Sequence, residues 1–269
     1  MTRGQSDRTG TESCYMCASA ATSSEHVPPR CIFPHQKDVG TSRYRENLIT
    51  VPSCDAHNSG KSLDDEFLMM SLAGLIGNNS IGFRHKFTKV NRAFRRKSER
   101  FLATIFQRRE EFFVPVEGNL FLRVIRGTPH LDRLDRCIDH IVRGLFFHHF
   151  ATKFDGRVKT HFMYLDPPDS NSREFKRLLG HLVDRDLRNA EALGNNPEVF
   201  SYRVSEPDQQ GLRLFHLCFY GGLDIYASLQ PVGTEPSFDL GLALMMDGFK
   251  TTFTLDGKEF RFHESQAEP

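Results

Sequence analysis

The residue types that bind metal ions are concentrated in the first quarter of this chain. Cys14 and Cys17 form one C-x-x-C pair, and Cys54 and His57 form a second pair with the same spacing. Two residues between ligands allow one tight turn to present both, so two such pairs can supply the four ligands of a tetrahedral zinc site. Four protein ligands leave no open position for a substrate. The pattern predicts a structural zinc ion, with Cys31 as an alternative to His57 for the fourth ligand.

A second group of chemically useful residues lies between and just after these two pairs. Glu25 and His26 are followed closely by two prolines, and Asn47 precedes the second pair. Asn58 follows that pair directly, and Lys61 comes three residues later. A histidine with a pKa near neutrality can deprotonate water, and carboxylate and amide oxygens are ligands for Mg²⁺ or Mn²⁺. These are groups that hydrolysis of a phosphodiester bond requires.

Taken in this order, these elements and the two metal-binding pairs resemble the HNH endonuclease family, and the resemblance covers residues 14–62. It implies a ββα-metal fold, in which two short strands and a helix surround one divalent cation and the zinc ion supports the base of the unit. Glu25 and His26 would end the first strand. Asn47 would enter the second strand, and Asn58 would lie on the helix.

The resemblance also implies a function and a role for each residue. The chain would be a metal-dependent endonuclease that hydrolyses nucleic acid, with DNA expected more than RNA and 5′-phosphate ends as the product. His26 would be the general base, and Asn47 would fix its imidazole through hydrogen bonds. Glu25 and Asn58 would hold the catalytic Mg²⁺ or Mn²⁺. Lys61 would contact a phosphate.

Three positions depart from the commonest family pattern. Glu25 stands where aspartate is usual, His57 where a fourth cysteine is common, and Asn58 where histidine is frequent. These differences bear on metal preference and coordination more than on the class of reaction.

Asp65 lies seven residues after Asn58, so on one helix it would share the Asn58 face and add a hydrogen bond to the metal site. Alternatively, residues 64–66 form a solvated acidic surface.

A basic segment follows this region. Residues 84–109 contain ten Lys or Arg against one acid, with apolar residues at helical spacing. This pattern predicts a basic amphipathic helix, and clustered cations supply sequence-independent affinity for nucleic acid. The residues expected to contact the phosphate backbone are Arg92, Arg95, Arg96, Lys97 and Arg100. Alternatively, this helix presents a solvated face or binds an acidic partner protein. A non-catalytic zinc-binding adaptor that holds nucleic acid through this helix is therefore a second functional hypothesis.

Composition and periodicity predict an α+β fold with three parts. Residues 1–13 read as a disordered tail, 14–76 as a zinc-stabilised ββα-metal module, and 77–269 as a larger helical and antiparallel-sheet domain. The role of this larger domain, including contact with a partner protein or a second copy, stays open. Helices are expected at 62–76, 131–150 and 172–193, and strands at 119–126, 158–165, 199–204, 212–219 and 223–229, with a hairpin at 251–262.

The chain has a net charge of +1, so overall charge does not indicate nucleic-acid binding. Three of its six cysteines fall in the metal-binding pairs, which fits a reducing compartment better than a disulfide framework. The longest apolar run is far shorter than the ~20 residues of a membrane-spanning helix. A soluble, cytoplasmic protein with no membrane partner is the expectation.

Overall fold

The computed structural model describes residues 12–92, 103–115, 121–166, 170–234, 242, 244–246, 248–255 and 258–263. Nearly all of the predicted tail therefore lies outside the described residues. Within them the chain forms helices and antiparallel sheets, so the predicted α+β class is confirmed. Among the helices described, none has both the length and the apolar character needed to cross a bilayer.

The region of the two metal-binding pairs forms a short hairpin followed by a helix. Its elements are β1 (Ser23–His26), a 3-10 turn (Arg30–Ile32), α1 (Gln36–Val39), β2 (Thr50–Ser53), two further 3-10 turns (Asp55–His57 and Ser59–Lys61) and α2 (Ser62–Ala73). β1 and β2 pair antiparallel, with Glu25 opposite Val51 and His26 opposite Thr50. Glu25 and His26 thus end the first strand, as predicted.

The part of the remaining chain that the structure describes forms three more sheets and several helical segments. In order, these elements are α3 (Ser80–His85) with a π-helical turn (Lys86–Val90), β3 (Phe106–Pro115), β4 (Phe121–Pro129), α4 (Leu131–Phe150), β5 (Arg157–Phe162), α5 (Ser170–Asp186), β6 (Leu193–Asn196), β7 (Phe200–Val204), β8 (Arg213–Phe219), β9 (Leu223–Gln230), β10 (Thr251–Leu255) and β11 (Lys258–Phe262). Strands β5–β9 form one antiparallel sheet in the order β5-β9-β8-β7-β6.

Most predicted elements downstream are found at nearly their expected positions. α4 matches the predicted bounds, because its apolar residues recur at helical spacing and its buried side chains include Leu134, Ile138 and Leu145. The β8–β9 and β10–β11 hairpins are confirmed, and each begins or ends within two residues of the prediction. Strong local periodicity and turn residues explain this agreement.

The predicted basic helix over 84–109 is wrong at its C-terminal end. Phe106–Pro115 is a strand that pairs along its length with Phe121–Pro129. Its aromatic and β-branched residues suit a strand, and cross-strand pairing with a distant segment outweighs local helical spacing. Residues 93–102 lie outside the described part of the chain, and they include Arg95, Arg96, Lys97 and Arg100.

A single hydrophobic core joins the N-terminal region to the rest of the chain across the predicted domain boundary at 76 and 77. The hydroxyl of Tyr220, after β8, donates a hydrogen bond of 2.6 Å to the carbonyl of Ile32. On α4, Gly144 lies so close to Val27 that a Cβ at Gly144 would be 2.7 Å from Val27 Cγ2. α4 therefore packs directly on the segment that follows β1.

We expect Gly144→Ala to lower the free energy of unfolding by about 1–3 kcal/mol, because the added methyl group overlaps Val27. The matched control is Gly180→Ala on α5, where a Cβ would meet Met163 at an ordinary 3.8 Å. That substitution should stabilise the protein by about 0.5–1 kcal/mol through helix propensity. Chemical denaturation measures the free energy of unfolding of both variants. Equal changes in the two variants would contradict the close contact between Gly144 and Val27.

Candidate metal centre

Backbone hydrogen bonds bring the two metal-binding pairs together at the base of the β1–β2 hairpin. The loop that carries the first pair is held to β2 by Tyr15, whose N–H donates to Pro52 O at 2.9 Å. Directly after β2, the backbone N–H of His57 donates to Cys54 O at 3.1 Å, which closes the turn of the second pair. The first pair is thus held beside β2, and the second pair follows the end of that strand.

The four side chains form a compact cluster. The ligand atoms of Cys14, Cys17, Cys54 and His57 all lie within 4.8 Å of one another. Cys17 Sγ is 3.8 Å from Cys54 Sγ, and His57 Nδ1 is 3.6 Å from Cys14 Sγ and 3.3 Å from Cys54 Sγ. Tetrahedral zinc with bonds of about 2.3 Å to sulfur and 2.0 Å to nitrogen requires S–S separations of about 3.8 Å and S–N separations of about 3.5 Å. The geometry therefore fits a metal ion such as zinc.

The charge state of Cys17 also suits a metal ligand. Hydrogen bonds from the side chain and the backbone of Ser19 lower the pKa of the Cys17 thiol to about 6. A thiol with a lowered pKa is largely thiolate at neutral pH, and the thiolate is the form that binds a metal ion.

The structure selects His57 over Cys31 as the fourth member of this cluster. The thiol of Cys31 donates a hydrogen bond of 3.2 Å to the backbone carbonyl of Asp65 instead. Burial raises the pKa of Cys31 far above its ordinary value, so it stays a neutral thiol. Cys31, in the 3-10 turn after β1, is therefore a partly buried donor to the first turn of α2.

Glu25 points into the protein and forms a buried ion pair. Its residue is 4 % exposed, and its Oε1 lies 2.7 Å from Lys61 Nζ. The same ammonium lies 2.8 Å from Asp65 Oδ1, so it bridges two carboxylates. Burial raises the pKa of Glu25 and of Asp65, and Lys61 opposes this rise. Lys61, predicted to contact a phosphate, is here committed to two carboxylates of its own chain.

His26 lies on the opposite side of β1 from Glu25, because successive side chains of a strand point to opposite faces. Its side chain is partly exposed. Burial lowers the pKa of His26, and the positive charges of Arg30 and Arg45 lower it further. The charges that act on Glu25 are different ones, those of Lys61 and Asp65. The structure thus gives these adjacent residues separate surroundings.

Asn58 lies beside β1, but it does not lie on α2 as predicted. It separates the two 3-10 turns with φ −117° and ψ −81°, and α2 begins only at Ser62. Ser59 and Gly60 favour turns over helix, which accounts for the delay. The Asn58 amide Nδ2 donates to Ser23 Oγ at 2.7 Å and to Ser24 O at 3.5 Å. The expected alignment of Asp65 with Asn58 on one helix face is therefore wrong.

Asn47 lies in the loop that precedes β2, in the left-handed backbone conformation with φ 54°. Its backbone carbonyl accepts a hydrogen bond of 2.6 Å from Asn195 Nδ2, on β6. The downstream sheet therefore holds the loop that was expected to position His26.

One neighbour of this centre, His140 on α4, was missed by sequence reasoning. Its ring lies 5.9 Å from that of His57, and burial lowers its pKa to about 4. With Lys61 and Asp65 it lines a cavity of about 40 Å³. In the sequence His140 is one polar position within an amphipathic helix, and no local signal connects it to the metal-binding pairs.

Comparison with protein-family models, with curated proteins and with solved structures finds no match to this chain. The functional conclusion therefore rests on the chemistry of the residues themselves.

We expect Cys14→Ser to lose a tightly bound zinc ion, present at about one per chain in the wild type, because a tetrahedral site needs all four ligands. Loss of zinc should also lower the Tm, since metal binding contributes to folding. Elemental analysis and thermal unfolding measure both effects. Cys31→Ser is the control and should keep its zinc. A Cys14→Ser protein with full zinc content would contradict the ligand set.

Lys61→Met should lower the free energy of unfolding by about 3 kcal/mol, because Glu25 and Asp65 would keep buried charges without a partner. Without the ammonium both carboxyl pKa values rise further, so protonation at low pH relieves part of the cost. The loss should thus be larger at pH 8 than at pH 5.5. Lys37→Met, at an exposed position, should change stability by less than about 0.5 kcal/mol. A pH-independent loss would argue against the ion-pair origin.

Proposed function

We propose that this protein is a metal-dependent endonuclease of the HNH type, which hydrolyses phosphodiester bonds of nucleic acid, DNA in preference to RNA. One observation carries the proposal. The amide of Asn58 is hydrogen-bonded to Ser23 and Ser24, so the segment after the second metal-binding pair lies against the strand that ends in Glu25 and His26. The three residues that the proposal needs thus lie along one short strand, with Glu25 and His26 on opposite sides of it.

His26 suits the role of general base. Burial and the nearby arginines lower its pKa, so the imidazole is neutral at pH 7 and can accept a proton from water. It stands at the end of β1, where its side chain keeps partial contact with solvent. Asn47, in the loop before β2, would position it.

Glu25 and Asn58 are the residues that would hold a catalytic Mg²⁺ or Mn²⁺. Glu25 and Asp65 share a single ammonium, that of Lys61, at 2.7 and 2.8 Å, so this cluster has one more acidic group than it has cations. Carboxylate and amide oxygens are the donors that such ions prefer. The ion would stabilise negative charge on the phosphoryl group. For Glu25 to hold it, Lys61 must move toward Asp65, which already accepts a hydrogen bond from it.

The same ion pair favours a second candidate function, a zinc-binding adaptor that holds nucleic acid without cutting it. The Lys61 ammonium neutralises the Glu25 carboxylate without any metal ion, as expected if Glu25 has a purely structural role. In that case His26 would contribute only to the binding of nucleic acid.

Cleavage of plasmid DNA separates the two candidates. With Mg²⁺ or Mn²⁺ added, the wild type should cut, and His26→Ala should lose at least a hundredfold in rate, the typical contribution of a general base. DNA binding and zinc content of the variant should be unchanged. His149→Ala, at an exposed position on α4, should cut like the wild type. Because the folded pKa of His26 is lowered, activity should fall only below pH ~6.5, where the imidazole gains its proton.

If neither DNA nor RNA is cut with either metal ion while binding persists, the adaptor is favoured. Cleavage at the wild-type rate by His26→Ala would show that another group is the base.

A further inference from the structure

The segment formed by α4 and the residues just after it approaches the metal centre at two points. The ring of His140, near the middle of the helix, lies 5.9 Å from the ring of His57, and the two ring planes are tilted by 54°. Lys153, which follows the helix, donates a hydrogen bond of 2.7 Å from its Nζ to the carbonyl of Cys17. One segment from the downstream part of the chain therefore lies beside both metal-binding pairs.

The His140 ring has a nitrogen that lacks a partner. Its Nδ1 is shielded from solvent and forms no hydrogen bond within the described residues. A buried nitrogen left in this state is destabilising, and buried polar atoms of folded proteins are nearly always paired. A neutral imidazole has one nitrogen that donates a hydrogen bond and one that accepts. The Nδ1 of His140 can therefore accept a hydrogen bond from a neighbouring N–H group.

The ring of His57 supplies such a donor when it binds zinc. Its Nδ1 faces the cysteine sulfurs, at 3.3 Å from Cys54 Sγ and 3.6 Å from Cys14 Sγ. Zinc binding through Nδ1 leaves the hydrogen of the neutral ring on Nε2. Histidine ligands almost always donate this second N–H to another group, which fixes the tautomer and the orientation of the ring. Within the described residues the hydrogen bonds of the His57 ring involve only Nδ1, so Nε2 is open to a partner.

We propose that His140 is a positioning residue for the zinc site, because its Nδ1 accepts the Nε2–H of His57 and holds that ligand in place. An N–H···N bond of about 2.9 Å between two aligned imidazoles sets their ring centroids roughly 5.2 Å apart. The observed separation of 5.9 Å is close to this value, so a small movement of either side chain completes the hydrogen bond. The zinc site then depends on a residue of α4 as well as on its four ligands.

A competing explanation assigns His140 to the ion-pair cluster of Lys61. The two residues line the same small cavity, together with Asp65. The Lys61 ammonium is paired with Asp65 and Glu25, and within the described residues no hydrogen bond joins it to His140. This explanation predicts that a change at His140 alters stability without altering zinc affinity.

The test compares His140→Leu with His140→Asn in the full-length protein. The two new side chains are similar in size, but only asparagine has an oxygen that can accept a hydrogen bond in place of Nδ1. Competition with a chelator measures the zinc affinity. We expect His140→Leu to bind zinc about 10–100-fold more weakly than the wild type, the usual effect of losing such a hydrogen bond, and His140→Asn to stay within about threefold. His148→Leu, at an exposed position on the same helix, is the matched control and should keep the wild-type affinity.

A second measurement follows the hydrogen bond itself. In the zinc-loaded wild type and in His140→Asn, proton NMR should show a His57 Nε2–H that is protected from exchange with solvent. This signal should be lost in His140→Leu, because the N–H then has no acceptor. A role of His140 in packing alone would not produce this difference between the two variants.

Three results would overturn the proposal. The first is equal zinc affinity in the wild type and both variants. The second is an equal loss of affinity in His140→Leu and His140→Asn, which would show that only the packing of the ring matters. The third is a lower Tm of His140→Leu with unchanged zinc affinity, which would assign His140 to the Lys61 cluster.

The comparison does not depend on how well one variant folds. If His140→Leu does not fold, His140→Phe, which keeps the size of the ring but has no acceptor, takes its place beside His140→Asn. Zinc affinity and the NMR signal are measured without any nucleic acid, so both stand whether or not the protein is a nuclease.

Discussion

The rest of the N-terminal region depends on one constraint, the convergence of Cys14, Cys17, Cys54 and His57 at the base of the β1–β2 hairpin. Each strand of that hairpin has only four residues, and an isolated pair of strands this short is not stable in water. Four metal–ligand bonds at this point would join the loop before β1 to the turn after β2. The register that sets Glu25 and His26 at the strand end follows from this connection and from the packing of α4 on Val27.

Because side chains alternate along β1, Glu25 and His26 lie in two different environments. The inward side holds Glu25 in an ion pair with Lys61 and Asp65, where burial strengthens electrostatic interactions. The outward side holds His26 among positive charges and partly open to solvent. One strand thus separates a compensated buried charge cluster from a partly exposed imidazole.

The downstream sheet supports this region directly. Asn195 and Asn196 donate to the carbonyls of Asn47 and Glu46, and Tyr220 donates to that of Ile32. These hydrogen bonds act on the loop between the two strands, whose short segments have little core of their own. The downstream part of the chain, for which the sequence offers no motif, therefore holds the loop that carries Asn47 in place.

The sequence by itself determined the features that depend on local spacing. The C-x-x-C and C-x-x-H pairs, the amphipathic pattern of α4 and the turn residues of two hairpins all act over a few residues, so their outcome can be derived from the chain alone. Tertiary structure decided the rest. It brought His57 rather than Cys31 to the three cysteines, paired Glu25 with Lys61, set His140 beside the candidate metal centre and made Phe106–Pro115 a strand. Each of these depends on groups far apart in sequence, and their meeting is set by packing and charge compensation in the folded protein.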